Sequence, residues 1–286
     1  MGRFLDAGNT LLRLAAELRG AQSVEQLVGG HLLHYYRVPG SGSLPPVVLL
    51  HGLGGSANGF ARTFSQLAKH YRAVWAPDLP GNGFSPAPAH GALSLQEQQA
   101  VTEAFLQDVV GQPVFLVGNS LGGALSMAIA SQKPKLVHSL GLVSPAGARM
   151  SEARMKALLA LFDVKTLKDS REMTRRLFHR APPLFLLFAG ELRSLYGSDA
   201  VRSTVASIRP EDALAPEVLA NLSMPTLLLW GKSEKLLPYE SIDYYRAHLP
   251  KHAEVHEVDR FGHVPQMEHP KALVRRLVDF SLRHAR

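Results

Sequence analysis

The sequence contains no cysteine, and this absence excludes several kinds of protein at once. The 286-residue chain has no disulfide scaffold, no thiolate metal ligand and no cysteine nucleophile. It also has no run of about 18 apolar residues, the length that a membrane-spanning helix requires. Arginine-rich runs, zinc-finger spacings and aromatic-basic RNA motifs are missing too. The net charge of +7 therefore does not indicate nucleic-acid binding.

What remains is an ordinary globular composition, with 46% hydrophobic and 19% charged residues. Residues 1–29 form an N-terminal segment in which Leu11, Leu14 and Leu18 recur at helical spacing and predict an amphipathic helix. Charged residues such as Asp6 and Arg13 interrupt the apolar residues here, whereas a secretory signal has an unbroken apolar core. Its apolar face would pack on its own domain or lie at a lipid interface. We expect a cytoplasmic protein, with peripheral contact to a membrane as the alternative.

Beyond this segment, short apolar strands alternate with helices. The predicted strands are 31–38, 47–50, 73–77, 114–117, 139–143, 226–230 and 253–258. This alternation indicates an α/β fold with a mostly parallel sheet flanked by helices. Residues 146–215 interrupt it with helical segments alone, and residues 149–209 carry 12 Lys and Arg against 6 Asp and Glu. We predict a helical insertion whose charges form solvated helix faces, or a surface for anionic lipid or substrate.

The motif G-x-S-x-G occurs at residues 118–122. It follows an apolar strand and opens an apolar helix, the setting in which a nucleophilic serine is held on a strained turn. Ser120 is therefore the candidate nucleophile, and a structural serine at a helix N-cap is the alternative. A serine hydroxyl needs a base within reach and a carboxylate to orient that base.

His263 is the candidate base, because it follows the last predicted strand and such loops gather at one edge of a parallel sheet. His51 lies at the same edge, where bonding to loop backbone is its expected role. Glu234, just past the strand 226–230, is the candidate orienting acid. Asp259 competes for that role. Asp78 precedes the serine and is expected to bond the turn that follows it.

The oxyanion of a tetrahedral intermediate needs preorganised N–H donors. We expect them from the backbone of Leu121, directly after the candidate nucleophile, and of Leu53 in the glycine-rich loop after strand 47–50. That loop matches neither dinucleotide-binding nor Walker patterns. No cofactor and no metal are expected.

With these residues in place, the chain resembles the α/β-hydrolase superfamily from about residue 31 to its C-terminus. The matching motifs are H-G-L-G-G (51–55), D-L-P-G-N-G-F-S (78–85), G-N-S-L-G-G (118–123), W-G-K-S-E-K-L-L-P (230–238) and F-G-H (261–263). The resemblance implies an eight-stranded sheet with a helical cap after the sixth strand. The core would comprise residues 1–145 and 216–286, and the cap residues 146–215. Glu234 departs from the aspartate, and Asn82 from the histidine, of many members.

Within the superfamily, the chain is similar to monoacylglycerol lipases with this fold and to bacterial carboxylesterases. This likeness rests on residues 142–147 and 230–232, the basic insertion and the amphipathic start. It implies a serine carboxylester hydrolase acting on an apolar ester. A carbon-carbon hydrolase for meta-cleavage products, with the same triad, is the alternative. A non-catalytic ligand receptor is a third hypothesis. Ser120 argues against epoxide hydrolases and haloalkane dehalogenases, which use aspartate there.

Overall fold

The fold is built on one eight-stranded sheet. A computed structural model describes residues 3–88, 93–187 and 189–285. The strands are β1 (Gln22–Val28), β2 (His31–Pro39), β3 (Val47–Leu50), β4 (Ala73–Pro77), β5 (Val114–Ser120), β6 (Val137–Pro145), β7 (Thr226–Gly231) and β8 (Glu254–Val258). Their order is β1-β2-β4-β3-β5-β6-β7-β8. Pairs β1/β2 and β2/β4 are antiparallel and all other pairs are parallel.

The strand β1 corrects one prediction. Residues 22–28 form an edge strand rather than part of the helical segment predicted for 1–29. Its sequence alternates polar and apolar residues only weakly, so its pairing with β2 decides its conformation. The predicted strands from β2 onward are confirmed to within a few residues at each end.

Helices cover both faces of the sheet. They are α1 (Arg3–Glu17), α2 (Ala61–Leu67), α3 (Leu95–Ala104), α4 (Leu121–Gln132), α5 (Glu152–Ala160), α6 (Leu167–Leu177), α7 (Pro183–Leu187), α8 (Glu191–Tyr196), α9 (Asp199–Ser207), α10 (Pro216–Ala220), α11 (Glu240–His248), α12 (Pro265–Glu268) and α13 (Pro270–Arg283). Buried residues of α3, α4, α10 and α11 join one core cluster, and those of α1, α2 and α13 join the other. Among the described residues, no helix is both long and apolar enough to span a bilayer.

Strand β5 shows how the two cores form. Val114 and Leu116 enter the first cluster, whereas Phe115 and Val117 enter the second. Successive side chains of a strand point to opposite faces, and here both faces are covered. An uninterrupted apolar run is therefore the expected sequence of such a central strand, and all seven residues of β5 are buried.

Helices α5 to α9 lie between β6 and β7, within residues 146–215, which we call the helical insertion. Their apolar side chains form a small cluster of their own. Met173, Tyr196 and Val201 pack there with Leu236 and with the half-buried Leu53. The insertion is thus packed onto loops that follow β3 and β7, at the carboxyl edge of the sheet.

Helix α1 is oriented with its apolar side outward. Leu11, Leu14 and Leu18, the last of them one residue beyond the end of α1, are 67%, 50% and 89% exposed. Its polar side faces the domain instead, where Arg13 pairs with Glu17 and its guanidinium lies 5.2 Å from the ring centre of Phe84. Ordinary surface helices bury the apolar stripe, so this orientation is the reverse of the usual one.

Asp78 is the polar centre that joins β2 to the loops at the carboxyl edge. Its carboxylate accepts hydrogen bonds from the N–H groups of Ala57 (2.7 Å) and Phe84 (3.0 Å) and lies 2.7 Å from His34 Nδ1. Only 1% of the residue is exposed. A β-carbon at Gly83 would lie 2.2 Å from this carboxylate, so the turn requires glycine. The predicted bonding of Asp78 to the turn after it is confirmed.

We expect Asp78→Asn to lower the free energy of unfolding by about 2–4 kcal/mol, because the amide loses one acceptor and points a donor at another donor. Urea denaturation measures the change. Asp163→Asn, at an exposed carboxylate paired with Lys165, is the matched control and should leave stability unchanged. Equal stability of the two variants would contradict the role assigned to Asp78.

Candidate active site

Ser120 lies at the junction of β5 and α4 in a strained backbone conformation. Its φ is 54° and its ψ is −120°, in a region that residues with a β-carbon rarely adopt. Its side chain makes no capping hydrogen bond to the helix, so the alternative of a structural N-cap is wrong. A β-carbon at Gly122 would lie 2.4 Å from the carbonyl oxygen of Leu50, and one at Gly118 would lie 2.2 Å from that of Gly122. The two glycines let the strand and helix meet at this sharp turn.

Glu234 and His263 form a buried pair. The Oε2 atom of Glu234 lies 2.8 Å from Nδ1 of His263, and the two side chains are 1% and 4% exposed. The other oxygen of Glu234 accepts hydrogen bonds from the N–H groups of Leu236 (2.8 Å) and Leu237 (3.1 Å). Burial by itself raises the pKa of Glu234, but His263 and these two N–H groups together hold that pKa below its ordinary value. The carboxylate is therefore ionised beside the imidazole.

The backbone of His263 is tied to the residue before Ser120. Asn119 donates from Nδ2 to the carbonyl oxygen of His263 (2.9 Å), and its own Oδ1 accepts from Gln266 Nε2 (2.9 Å). All three residues are buried. Sequence reasoning missed Asn119 and Gln266. The available signal was a carboxamide at the end of an otherwise apolar strand, where an unpartnered amide would be costly.

The helical insertion closes over both loops of this pair. The carbonyl oxygen of Leu177 accepts from the N–H groups of His263 (2.9 Å) and Val264 (3.3 Å). Lys235, next to Glu234, donates from Nζ to the carbonyl oxygens of Phe178 (3.2 Å) and His179 (3.0 Å). Three consecutive residues at the end of α6 therefore hold the loops that carry Glu234 and His263.

The glycine-rich loop after β3 is fixed by His51. Its Nδ1 donates to the carbonyl oxygen of Gly52 (2.8 Å), and its Nε2 accepts from the N–H of Leu79 (3.0 Å). Burial lowers the pKa of His51 in spite of the opposing charge of Asp78, which favours the neutral imidazole that this pattern needs. A trans peptide directs its C=O and N–H to opposite sides, so the N–H of Leu53 points away from His51.

This loop lies directly against Ser120. A β-carbon at Gly52 would lie 2.9 Å from Cβ and 3.4 Å from Oγ of Ser120. Leu121 is the first residue of α4, where the backbone N–H has no partner within the helix. The N–H groups of Leu53 and Leu121 thus belong to the two segments that flank Ser120. A β-carbon at Gly54 would lie 2.9 Å from the ring of Tyr196, so the insertion covers the outer side of the loop.

Asp259 lies apart from these groups. Its side chain is 78% exposed and lies 2.9 Å from Lys232 Nζ, whose hydrogen bond holds the pKa of Asp259 below its ordinary value. The structure brings Glu234 and not Asp259 to His263. The sequence alone allowed either carboxylate to orient His263.

Comparison with known proteins adds a family and two groups of relatives. Residues 45–270 match the family described as the alpha/beta hydrolase fold. Lipase 1 of Psychrobacter immobilis is 26% identical over 78% of this chain and 72% of its own length. A 2-hydroxy-6-oxononadienedioate/2-hydroxy-6-oxononatrienedioate hydrolase of Cupriavidus pinatubonensis is 27% identical over 82% of this chain and 86% of its own length.

Among solved structures, a bacterial membrane phospholipase A described as a virulence factor superposes with a TM-score of 0.83. It is 25% identical, and the match covers 97% of this chain and 92% of that one. The comparisons therefore include lipases and hydrolases of meta-cleavage products.

If Glu234 orients His263, we expect Glu234→Gln to slow the labelling of Ser120 by a fluorophosphonate about 10²- to 10⁴-fold, the range attributed to general base catalysis. Glutamine can present its NH₂ group to Nδ1 and so favour the wrong tautomer. The measurement is the labelling rate constant, followed by mass spectrometry of the labelled peptide. Asp259→Asn is the control and should label within about twofold of the wild type. The reverse ranking would transfer the role to Asp259.

Proposed function

The chain belongs to the α/β-hydrolase fold family, and from this premise we propose that it is a serine carboxylester hydrolase acting on an apolar ester. The observation that carries the proposal is the buried Glu234–His263 pair, fastened through Asn119 to the strained turn of Ser120. Burying such a charged pair costs free energy, and a hydrophobic pair would stabilise the fold better. The pair therefore supports a functional role.

In the proposed reaction, Ser120 Oγ attacks the ester carbonyl carbon and its proton passes to Nε2 of His263. Glu234 keeps the other ring nitrogen protonated and stabilises the imidazolium that forms. The carbonyl oxygen becomes an oxyanion, which accepts hydrogen bonds from the N–H groups of Leu53 and Leu121. His263 then protonates the departing alcohol, which leaves an acyl group on Ser120.

Deacylation repeats these steps with water as the nucleophile. His263 takes a proton from water, the hydroxide oxygen bonds to the acyl carbon, and the carboxylic acid leaves as Ser120 regains its proton. Neither acylation nor deacylation in this proposed reaction needs a cofactor. The neutral state of His51 matters here, because a protonated imidazole would no longer accept from Leu79 and would release the loop that carries Leu53.

An apolar substrate is supported by the contacts of the helical insertion. Leu53, beside the proposed oxyanion site, packs with Tyr196, Val201 and Leu236. We infer that residues 146–215 act as a cap over the substrate, with 1–145 and 216–286 as the core. The apolar segments 157–162 and 182–189 would favour an acyl chain; residue 188 lies outside the described residues. The lipases among the relatives agree with this choice.

A carbon-carbon hydrolase is the second candidate, and relatives of comparable identity favour it. Its substrate would be a vinylogous diketone, and the same Ser120, His263 and Glu234 would be required. The bond that breaks differs, because a carbon rather than an alcohol oxygen must accept the proton. Activity on dienol substrates separates the two candidates.

We expect the wild type to hydrolyse p-nitrophenyl esters, and Ser120→Ala to lower kcat by about 10⁴-fold or more, since the attacking oxygen is gone. An ester series from acetate to palmitate measures the rate, and the preferred chain length reports the size of the pocket. Ser126→Ala is the matched control, because Ser126 is buried in α4 and its hydroxyl bonds the carbonyl oxygen of Gly122. It should retain most activity.

The alternatives give different results in the same assays. Fluorophosphonate labelling of Ser120 without ester turnover, together with bleaching of a yellow dienol substrate, would support the carbon-carbon hydrolase. Stoichiometric ligand binding with neither labelling nor turnover would support a receptor and contradict both hydrolase proposals.

The outward apolar side of α1 supports a second proposal, that the protein docks on an anionic bilayer. A helix with leucines on one side and polar groups on the other binds an interface by inserting the apolar side. Exposed cations of α2 and α13, in the same layer, would face the lipid headgroups: Arg62, Lys271 and Arg275. The name of the membrane phospholipase A relative agrees with this setting.

We expect replacement of Leu11, Leu14 and Leu18 by serine to reduce binding to phosphatidylglycerol vesicles at least about tenfold, because most of the inserted apolar area is lost. Vesicle flotation measures the bound fraction. The matched control replaces Leu27, Leu32 and Leu282, which are also exposed, by serine. Equal flotation of both triple variants would contradict docking through α1.

A further inference from the structure

A cleft of about 350 Å³ lies beside the loop of His263, between the start of α2, the segment after α6 and the α12–α13 junction. Its lining contains three arginines, two histidines and one carboxylate: Arg62, Arg180, Arg260, His179, His269 and Glu268. Ser120 and Glu234 are not among its lining residues. The cleft is therefore separate from the Ser120 site, with a composition unlike that of the apolar surface around Leu53.

The charge of the cleft is strongly positive. Guanidinium groups remain protonated at all physiological pH values, so the three arginines contribute three positive charges. In the described part of the chain, none of these guanidinium groups forms an ion pair with a carboxylate. Glu268 is the single acid of the lining, so the arginines and this carboxylate together carry a net charge of +2.

The carboxylate of Glu268 is already engaged by backbone donors. One oxygen accepts from the N–H of Gly262 (3.1 Å) and the other from the N–H of Arg180 (3.2 Å). A carboxylate used in this way holds the wall of the cleft together and forms no ion pair with the three guanidinium groups. Cations that share one cleft attract an anion strongly, because their fields add.

Other contacts hold the walls in place. Arg62 donates from Nη1 to the carbonyl oxygen of Met267 (2.7 Å), which joins α2 to α12. The ring of His269 stacks on Phe261 at 6.0 Å with an interplanar angle of 7°. Arg260 has a φ of +62°, a left-handed conformation that residues with a β-carbon rarely adopt. Strain of this kind persists only where the surrounding structure holds the residue in place.

We propose that this cleft binds a phosphate group as its dianion, either on a soluble phosphate compound or as a phosphomonoester lipid headgroup. The charge of a phosphomonoester, about −1.5 to −2 at neutral pH, balances that of the cleft. Guanidinium groups bind phosphate oxygens in pairs through parallel N–H donors. The volume exceeds the need of the anion alone, so an organic group attached to the phosphate fits as well. This inference does not depend on the proposed reaction at Ser120.

The test uses the double variant Arg180→Gln/Arg260→Gln, which removes two charges at exposed side chains and keeps Arg62 with its bond to Met267. The matched control is Arg72→Gln/Arg171→Gln, two exposed arginines outside the cleft. Isothermal titration with inorganic phosphate at constant ionic strength measures the affinity. We expect saturable 1:1 binding to wild type and control, and a Kd at least about tenfold higher for the cleft variant.

Arg180→Lys/Arg260→Lys keeps both charges and should bind with intermediate affinity, because lysine lacks the paired donors. The thermal midpoint of each variant shows whether it is folded. If the glutamine variant fails to fold, the lysine variant still tests the proposal. No saturable binding to the wild type, or equal weakening in the cleft and control variants, would overturn the proposal.

Flotation with phosphatidic acid vesicles distinguishes the two sources of the phosphate. Loss of both phosphate binding and flotation in the cleft variant alone would assign the site to a lipid headgroup. Loss of phosphate binding with unchanged flotation would assign it to a soluble phosphate compound. Hydrolysis of p-nitrophenyl esters by the cleft variant should match the wild type, so failure here is separable from failure of the proposed catalytic function.

Discussion

The hydrogen bond between Glu234 and His263 is the interaction around which the carboxyl edge of the sheet is organised. Both side chains are removed from water, and a carboxylate in that position is stable only if its oxygens are fully used. The N–H groups of Leu236 and Leu237 supply the remaining bonds, which fixes the course of the chain after β7. The loop after β8 must then return to the same point, because the imidazole it carries pairs with this carboxylate.

The helical insertion is part of this arrangement and not merely a cover. Leu177 receives the N–H of His263, while Lys235 reaches back to the carbonyl oxygens that follow α6. A rigid outward rotation of α6 would break these bonds together, and each contributes about 0.5–1.5 kcal/mol. Substrate access by opening the whole insertion is therefore unfavourable. Entry past the parts of the insertion that do not hold the His263 loop is less costly.

Much of this could be predicted from the sequence, for reasons that differ from element to element. The central strands are apolar runs because both faces are covered, and Ser120, Glu234 and His263 follow from the edge at which parallel strands end. The strand β1 could not be predicted, since Gln22–Val28 has little pattern of its own and depends on pairing with β2. Asn119 was missed because its role depends on a hydrogen bond to His263, 144 positions away. The left-handed φ of Arg260 could not be predicted either, because composition does not indicate it.

Helix α1 shows most clearly what periodicity leaves open. The spacing of Leu11, Leu14 and Leu18 defines an apolar side but not the direction in which it points. The contacts of Arg13 with Phe84 and of Asn9 with Asn58 turn it outward. Full burial of a leucine stabilises by about 1.5–3 kcal/mol, and an interfacial helix achieves only part of that. Three leucines alone would thus give weak, reversible binding to a bilayer. A second contribution is needed, and cations on α2 and α13 or a headgroup phosphate held by Arg180 and Arg260 would provide it.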